Sequence, residues 1–116
     1  MAKLDEKGII EFTEEDIETA WNNSPELVNK EAQEFRMCFI CKFHMKRKEF
    51  NNLELGKFGW IPEPINIKNF SFESANFVAI HPGCSEFRPK DDCTKILNKV
   101  KKMLWAFDES IYENEK

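Results

Sequence analysis

Apolar residues along this chain change their spacing several times, and each change marks an element. Residues 1–12 show no sustained period; Ile9 and Ile10 allow at most a short strand, so this stretch reads as an arm. Thr13 suits a helix N-cap, the acids that follow suit a helix N-terminus, and Ile17, Ala20 and Trp21 then share one helical face. That helix is expected to stop near Asn22 and Asn23. Ser24-Pro25 reads as the start of another, with serine as cap and proline in the first position, and with Val28, Ala32, Phe35 and Phe39 along its inner face.

Gly56, Gly59, Pro62 and Pro64 mark a loop-rich centre over residues 51–64. Ile65 and Ile67 alternate with polar residues, as do Phe70 and Phe72, and residues 77–80 form a short apolar run. The pattern predicts two or three short strands, with a hairpin turning at 73–76 and a tight turn at His81-Pro82-Gly83-Cys84. Asp91 or Asp92 caps a long final helix, expected to run to about residue 112. Leu97, Val100, Leu104, Phe107 and Ile111 form its apolar stripe. Two heptads are too few for a coiled coil, so the stripe is expected to pack on its own domain, with a dimer or partner helix as the alternative. The expected fold is α+β: a single domain over 13–112 with N-terminal helices, a short antiparallel sheet and a long C-terminal helix, followed by an acidic tail at 113–116.

Composition narrows the class. At 116 residues the chain fits one domain, and 11 phenylalanines give it the aromatic content of a packed core, not of a disordered segment. No apolar run is long enough to span a bilayer, and the first ten residues lack the apolar stretch of a signal peptide, so the expected location is the cytoplasm, or a host's cytoplasm. The Lys-, Asn- and Phe-rich composition suits a phage or a low-GC bacterium. The net charge of −4 is unevenly spread: residues 1–35 hold ten acids against three bases, residues 36–107 thirteen bases against seven acids, and residues 108–116 four acids against one base. Such a balance bears on partners and not on fold.

In a reducing compartment, four clustered cysteines point to metal ligands more than to disulfides. Cys38 and Cys41 form a C-x2-C pair, which wraps a turn around one metal and presents two sulfurs at tetrahedral spacing. His81 and Cys84 repeat the two-residue gap with Pro and Gly inside it, residues that favour the tight turn of a ligand knuckle. Cys93 lies nine positions further on at a predicted helix N-terminus, which stabilises a thiolate. The expected ligand set is Cys38, Cys41, Cys84 and Cys93, with His81 as the alternative fourth ligand. His44 is disfavoured because it would crowd three ligands into two turns. The plain alternative is that these are ordinary buried thiols, with Cys38 and Cys41 on the core face of the second helix.

Two such knuckles, separated by 39 residues between Cys41 and His81, resemble those of zinc ribbons and treble-clef fingers. The resemblance implies one structural zinc stabilising the fold. The phrases at 38–43 and 84–87 are also similar, with a different spacing between them, to those of the small iron–sulfur subunits of some anaerobic glycyl-radical enzymes. That second likeness implies a 4Fe–4S cluster as the alternative cofactor.

A second constellation is basic. Arg36, Lys42, Lys46, Arg47 and Lys48 fall within thirteen residues that contain no acid, with Phe39 and Phe43 interleaved. Cations and aromatics together grip phosphates and stack bases. The plain reading is a solvated face, because the whole chain is acidic. No Gly-rich phosphate loop, H-E-x-x-H or nucleophile elbow is present, and a metal closed by four protein ligands leaves no position for water. The chain is therefore expected to be a non-enzymatic, zinc-stabilised module that binds another protein as adaptor or inhibitor. The alternatives are a nucleic-acid-binding zinc protein using residues 36–48, and an iron–sulfur accessory subunit.

Overall fold

The computed structural model describes residues 2–54, 57–103 and 105. The chain opens with a small antiparallel hairpin, β1 (Lys3–Leu4) against β2 (Ile10–Glu11), turned by Gly8 with φ of 80°. Residues 1–12 are thus not a bare arm: Ala2 is buried and its amide donates to the Phe72 carbonyl at 2.9 Å. Helix α1 (Glu14–Asn22) starts where the sequence places it. The Thr13 hydroxyl accepts from the Asp16 amide at 3.1 Å and the Thr13 amide donates to the Asp16 carboxylate at 2.8 Å, a complete capping box. The buried Asp16 also accepts from Ser74 Oγ at 2.5 Å, which ties α1 to the 3-10 turn Ser74–Asn76. Burial pushes this carboxyl up, but the hydrogen bonds from Ser74 and from Thr13 more than offset it, so its pKa lies below the ordinary aspartate value.

The second N-terminal helix does not form. Residues 25–34 run through turns and deliver the chain to β3 (Phe35–Met37). Isolated turns bond locally, as Glu31 O does with the Glu34 and Phe35 amides, but other carbonyls go to side chains and a strand: Ala32 O accepts from the Trp21 indole at 2.9 Å and from Arg36 Nε at 3.1 Å, and Pro25 O accepts from the Met37 amide at 2.9 Å. Ser24 is no cap either. Its hydroxyl bonds Ala20 O and the Ala79 amide at 3.1 Å each, joining α1 to a strand. Val28, expected inside, is 62% exposed.

β3 pairs with β4 (His44–Lys46) in register Phe35↔Lys46, Arg36↔Met45, Met37↔His44. The last pair is β5 (Ile61–Pro64) with β6 (Phe77–Ile80), Ile61↔Ile80 through Pro64↔Phe77. The run at 77–80 is the expected strand, but its partner comes from the Pro-rich stretch and not from the Ile65/Ile67 or Phe70/Phe72 segments. Prolines are tolerated in β5 because their neighbours in β6 turn their polar groups the other way. The Ala79 amide donates to Ser24 Oγ, and Phe77 O accepts from Asn23 Nδ2 at 2.9 Å.

Helix α2 (Thr94–Lys102) is nine residues long and stops at Met103, whose ψ of 151° is extended. That extended residue interrupts the helix expected to continue to residue 112; Leu104, Phe107 and Ile111 of the expected stripe lie outside the described residues. Leu97 and Val100 are buried as expected. Trp105 folds back, its indole donating to Val100 O at 2.9 Å and its carbonyl accepting from the Val28 amide at 2.8 Å. The core gathers Trp21, its ring tilted at 46° against Trp60 with centroids 5.1 Å apart, with Met37, Phe39, Met45, Phe77, Val78, Ile80 and the two α2 residues. The described residues form a single α+β domain with two helices and short antiparallel sheets, and no described helix is long and apolar enough to cross a membrane.

Candidate metal centre

The β3–β4 hairpin carries the first knuckle at its tip. Backbone pairing continues one step past the strands, with the Cys38 amide donating to Phe43 O at 2.9 Å, and the loop closes with the Lys42 amide donating to Cys38 O at 2.9 Å. Lys42 holds a φ of 62°, the left-handed residue that lets so tight a loop rejoin β4. The second knuckle follows β6. His81 leads into the 3-10 turn Pro82–Glu86, with Pro82 in its first position and the Cys84 amide donating to His81 O at 3.0 Å.

These two turns meet. One ligand atom each from Cys38, Cys41, His81 and Cys84 lies within 4.8 Å of the other three. A tetrahedral zinc with sulfur bonds near 2.3 Å and a nitrogen bond near 2.0 Å needs ligand separations of roughly 3.5–3.8 Å, so small side-chain adjustments suffice. The histidine is oriented for the task. Its Nε2 lies 2.7 Å from the His44 carbonyl, an acceptor only, so the proton sits on Nε2 and the bare Nδ1 faces the sulfurs, 3.2 Å from Cys41 Sγ. Crowded together, the sulfurs shift one another: Cys41 and Cys84 beside it pull Cys38 far below the ordinary thiol range, while the Cys38 sulfur and burial push Cys41 and Cys84 above it. Three sulfurs and one nitrogen are the donor set of a Cys3His zinc site, and the residues fit one metal ion.

Cys93 takes no part in the cluster. It is fully buried, with its sulfur 3.4 Å from Arg88 Nη2 and 3.6 Å from Pro89 O, and its amide donates to Ile65 O at 2.9 Å. The all-cysteine set gives way to the set with His81 because the turn after β6 brings both His81 and Cys84 to the hairpin, while Cys93 is fixed at the N-cap of α2 beside Arg88. His44 supplies a carbonyl and not a ring nitrogen. Its imidazole is buried beside Phe43 at 4.5 Å and Phe58 at 4.2 Å, and burial pushes its pKa down to about 4. Sequence reasoning missed this carbonyl because nothing in a residue's identity reports where its backbone oxygen points.

The basic constellation is dispersed. Arg36 is 7% exposed and spends its guanidinium on the carbonyls of Ala32, Asn22 and Ser24. Arg47 pairs with Glu18 and lies over the Trp21 ring at 5.7 Å. Lys46 lies over Phe58 at 5.5 Å, and Lys42 reaches the Ile40 carbonyl at 3.3 Å. Lys48 is exposed. Arg36 is therefore unavailable to a phosphate, and Phe39, fully buried, is unavailable to a base.

Comparison with protein-family models, with curated proteins and with solved structures finds no match to this chain.

Proposed function

We propose that this chain is a small, non-enzymatic, zinc-stabilised module that binds another protein. The observation that carries the reading is the convergence of Cys38, Cys41, His81 and Cys84 on one point from two separate turns. Four protein ligands close a tetrahedral ion and leave no position for a catalytic water, so the metal's work is to hold the hairpin tip against the turn after β6. Zinc is favoured over a 4Fe–4S cluster because ligand atoms within 4.8 Å of one another enclose a single ion, whereas a four-iron cube keeps its ligands at separate corners.

A protein partner is favoured over nucleic acid by what the surface offers. Phe87, 78% exposed, stands just after the second knuckle, and Leu53, 67% exposed, flanks the first. A large aromatic held on a rigid turn is the kind of anchor that dominates protein interfaces. The basic stretch has meanwhile lost Arg36 to the interior and committed Arg47 to Glu18. The test is zinc content together with binding. The protein is expected to carry one zinc per chain and to show no salt-dependent affinity for DNA or RNA, and Phe87→Asp should keep the metal but lose the partner. Binding to nucleic acid at low salt, weakened uniformly by changing Lys46 and Lys48 to Ala, would overturn the protein-partner reading. A brown protein containing iron would overturn the zinc reading.

A further inference from the structure

The four ligands are not equally covered. Cys38 is fully buried, His81 and Cys84 are half-buried, and Cys41 is exposed. Cys41, His81 and Cys84 line a groove of about 250 Å³ together with an apolar set of Phe43, Leu53 and Phe58, a wall that also includes the polar Asn52 and Glu54. The apolar set is held in place at some conformational expense. Phe58 has a φ of 59°, a region bulky residues seldom adopt, and its ring packs on His44 and, at 5.9 Å, on Phe43. Backbone strain of this kind persists where surrounding structure fixes it, and it clusters at functional sites. The surroundings here are tight: Phe58 O accepts from the Lys46 amide at 2.9 Å, and Gly59 packs on the Asn52 backbone so closely that a β-carbon would sit 1.9 Å from its carbonyl oxygen.

We propose that Cys41 is a modification site, the metal-bound thiolate that reacts with soft, apolar electrophiles of the α,β-unsaturated carbonyl class entering along this groove. The proposal rests on the metal reading above. Zinc binds cysteine through its sulfur as a thiolate, and of the three clustered sulfurs only that of Cys41 belongs to an exposed residue. In the reaction the Cys41 sulfur bonds to the electrophile's β-carbon, the π pair shifts toward the carbonyl, and the α-carbon takes a proton from water. Nothing is oxidised or reduced. The product is a neutral thioether, a weaker ligand than the thiolate, so the modification loosens the grip on the metal and with it the link between the two turns. Cys38 is spared by burial, and Cys93 by burial beside Arg88.

The test treats the zinc-loaded full chain with half an equivalent of N-phenylmaleimide, reads zinc and adduct on the same molecules by native mass spectrometry, and locates the adduct by peptide mapping. The adduct is expected on Cys41 ahead of Cys84, with Cys38 and Cys93 unmodified. The preference for N-phenylmaleimide over unsubstituted maleimide should exceed that of a free cysteine derivative. It should fall at least about fourfold in Leu53→Ser, which removes three apolar carbons where contact with a single one is already worth that factor, at unchanged zinc content. A chain that carries no zinc contradicts the metal reading and this proposal with it. A zinc-loaded chain whose first adduct falls on another cysteine, or whose preference ignores Leu53→Ser, leaves the metal reading standing and overturns the proposal.

Discussion

Single residues decide which four candidate ligands come together. His81 shows how a backbone carbonyl does this: the His44 oxygen takes the Nε2 proton, and the remaining nitrogen turns to three sulfurs. Spacing alone singles out Cys38, Cys41 and Cys84 but offers two fourth ligands, because both His81 and Cys93 sit at turns that suit a ligand. The choice depends on the direction of the chain after β6, which only the folded sheet provides. His81→Ala is accordingly expected to lose zinc and lower the melting temperature. Cys93→Ser should keep zinc and cost about 1–3 kcal/mol, the penalty of a buried hydroxyl in place of a thiol. Metal content and thermal melting of the two variants check this, and zinc retained in His81→Ala but lost in Cys93→Ser would reverse the assignment. Asp16 gives a second test. Its folded pKa is lowered, so its contribution is fully present above the ordinary aspartate range and disappears as pH falls through the lowered value. Asp16→Asn should cost about 0.5–2 kcal/mol at pH 7, and the difference from wild type should shrink as pH falls below the ordinary aspartate range. A penalty independent of pH would show that the carboxylate charge is not what matters.

Among the elements, the sequence was most legible where the deciding interactions are local. Thr13 and Asp16 cap α1 through groups three residues apart, and the apolar run at 77–80 is a strand. It failed where partners are distant. Ser24-Pro25 carries every local mark of a helix start, yet the Trp21 indole, the Arg36 guanidinium and the Met37 amide claim the carbonyls a helix would use. The Pro62 and Pro64 strand was hidden for the same reason, since its tolerance for proline depends on Ser24 and Asn23 serving β6 from the other side. Two substitutions probe this level. Leu97→Ala, on the buried face of α2, should cost about 2–5 kcal/mol, whereas Ile96→Ala on its exposed face should cost little. Gly59→Ala should destabilise by about 2–4 kcal/mol, because the chain on either side of the new methyl is backbone and cannot move aside. Denaturant unfolding measures both, and a neutral Gly59→Ala would mean that Gly59 is not packed on the Asn52 and Glu49 backbone as described.

At the scale of the whole molecule, the candidate metal cluster brings together two parts of the chain separated by 39 residues, the β3–β4 hairpin tip and the turn after β6. Met37, Met45 and Ile80 of these same strands belong to the core, so a metal bound at the cluster would brace elements that the core also holds. A metal that binds only the folded arrangement adds its binding free energy to folding. The loss of more than about 2 kcal/mol would lower the melting temperature of a domain of this size by about 10 °C or more. The most direct measurement is therefore the zinc content of protein purified under reducing conditions, followed by melting before and after removal of the metal with a strong chelator. The account predicts one zinc per chain and a fall in melting temperature of at least about 10 °C on chelation, reversed when zinc is returned. A chain that is free of metal as purified and melts cooperatively at the same temperature with and without chelator would contradict it.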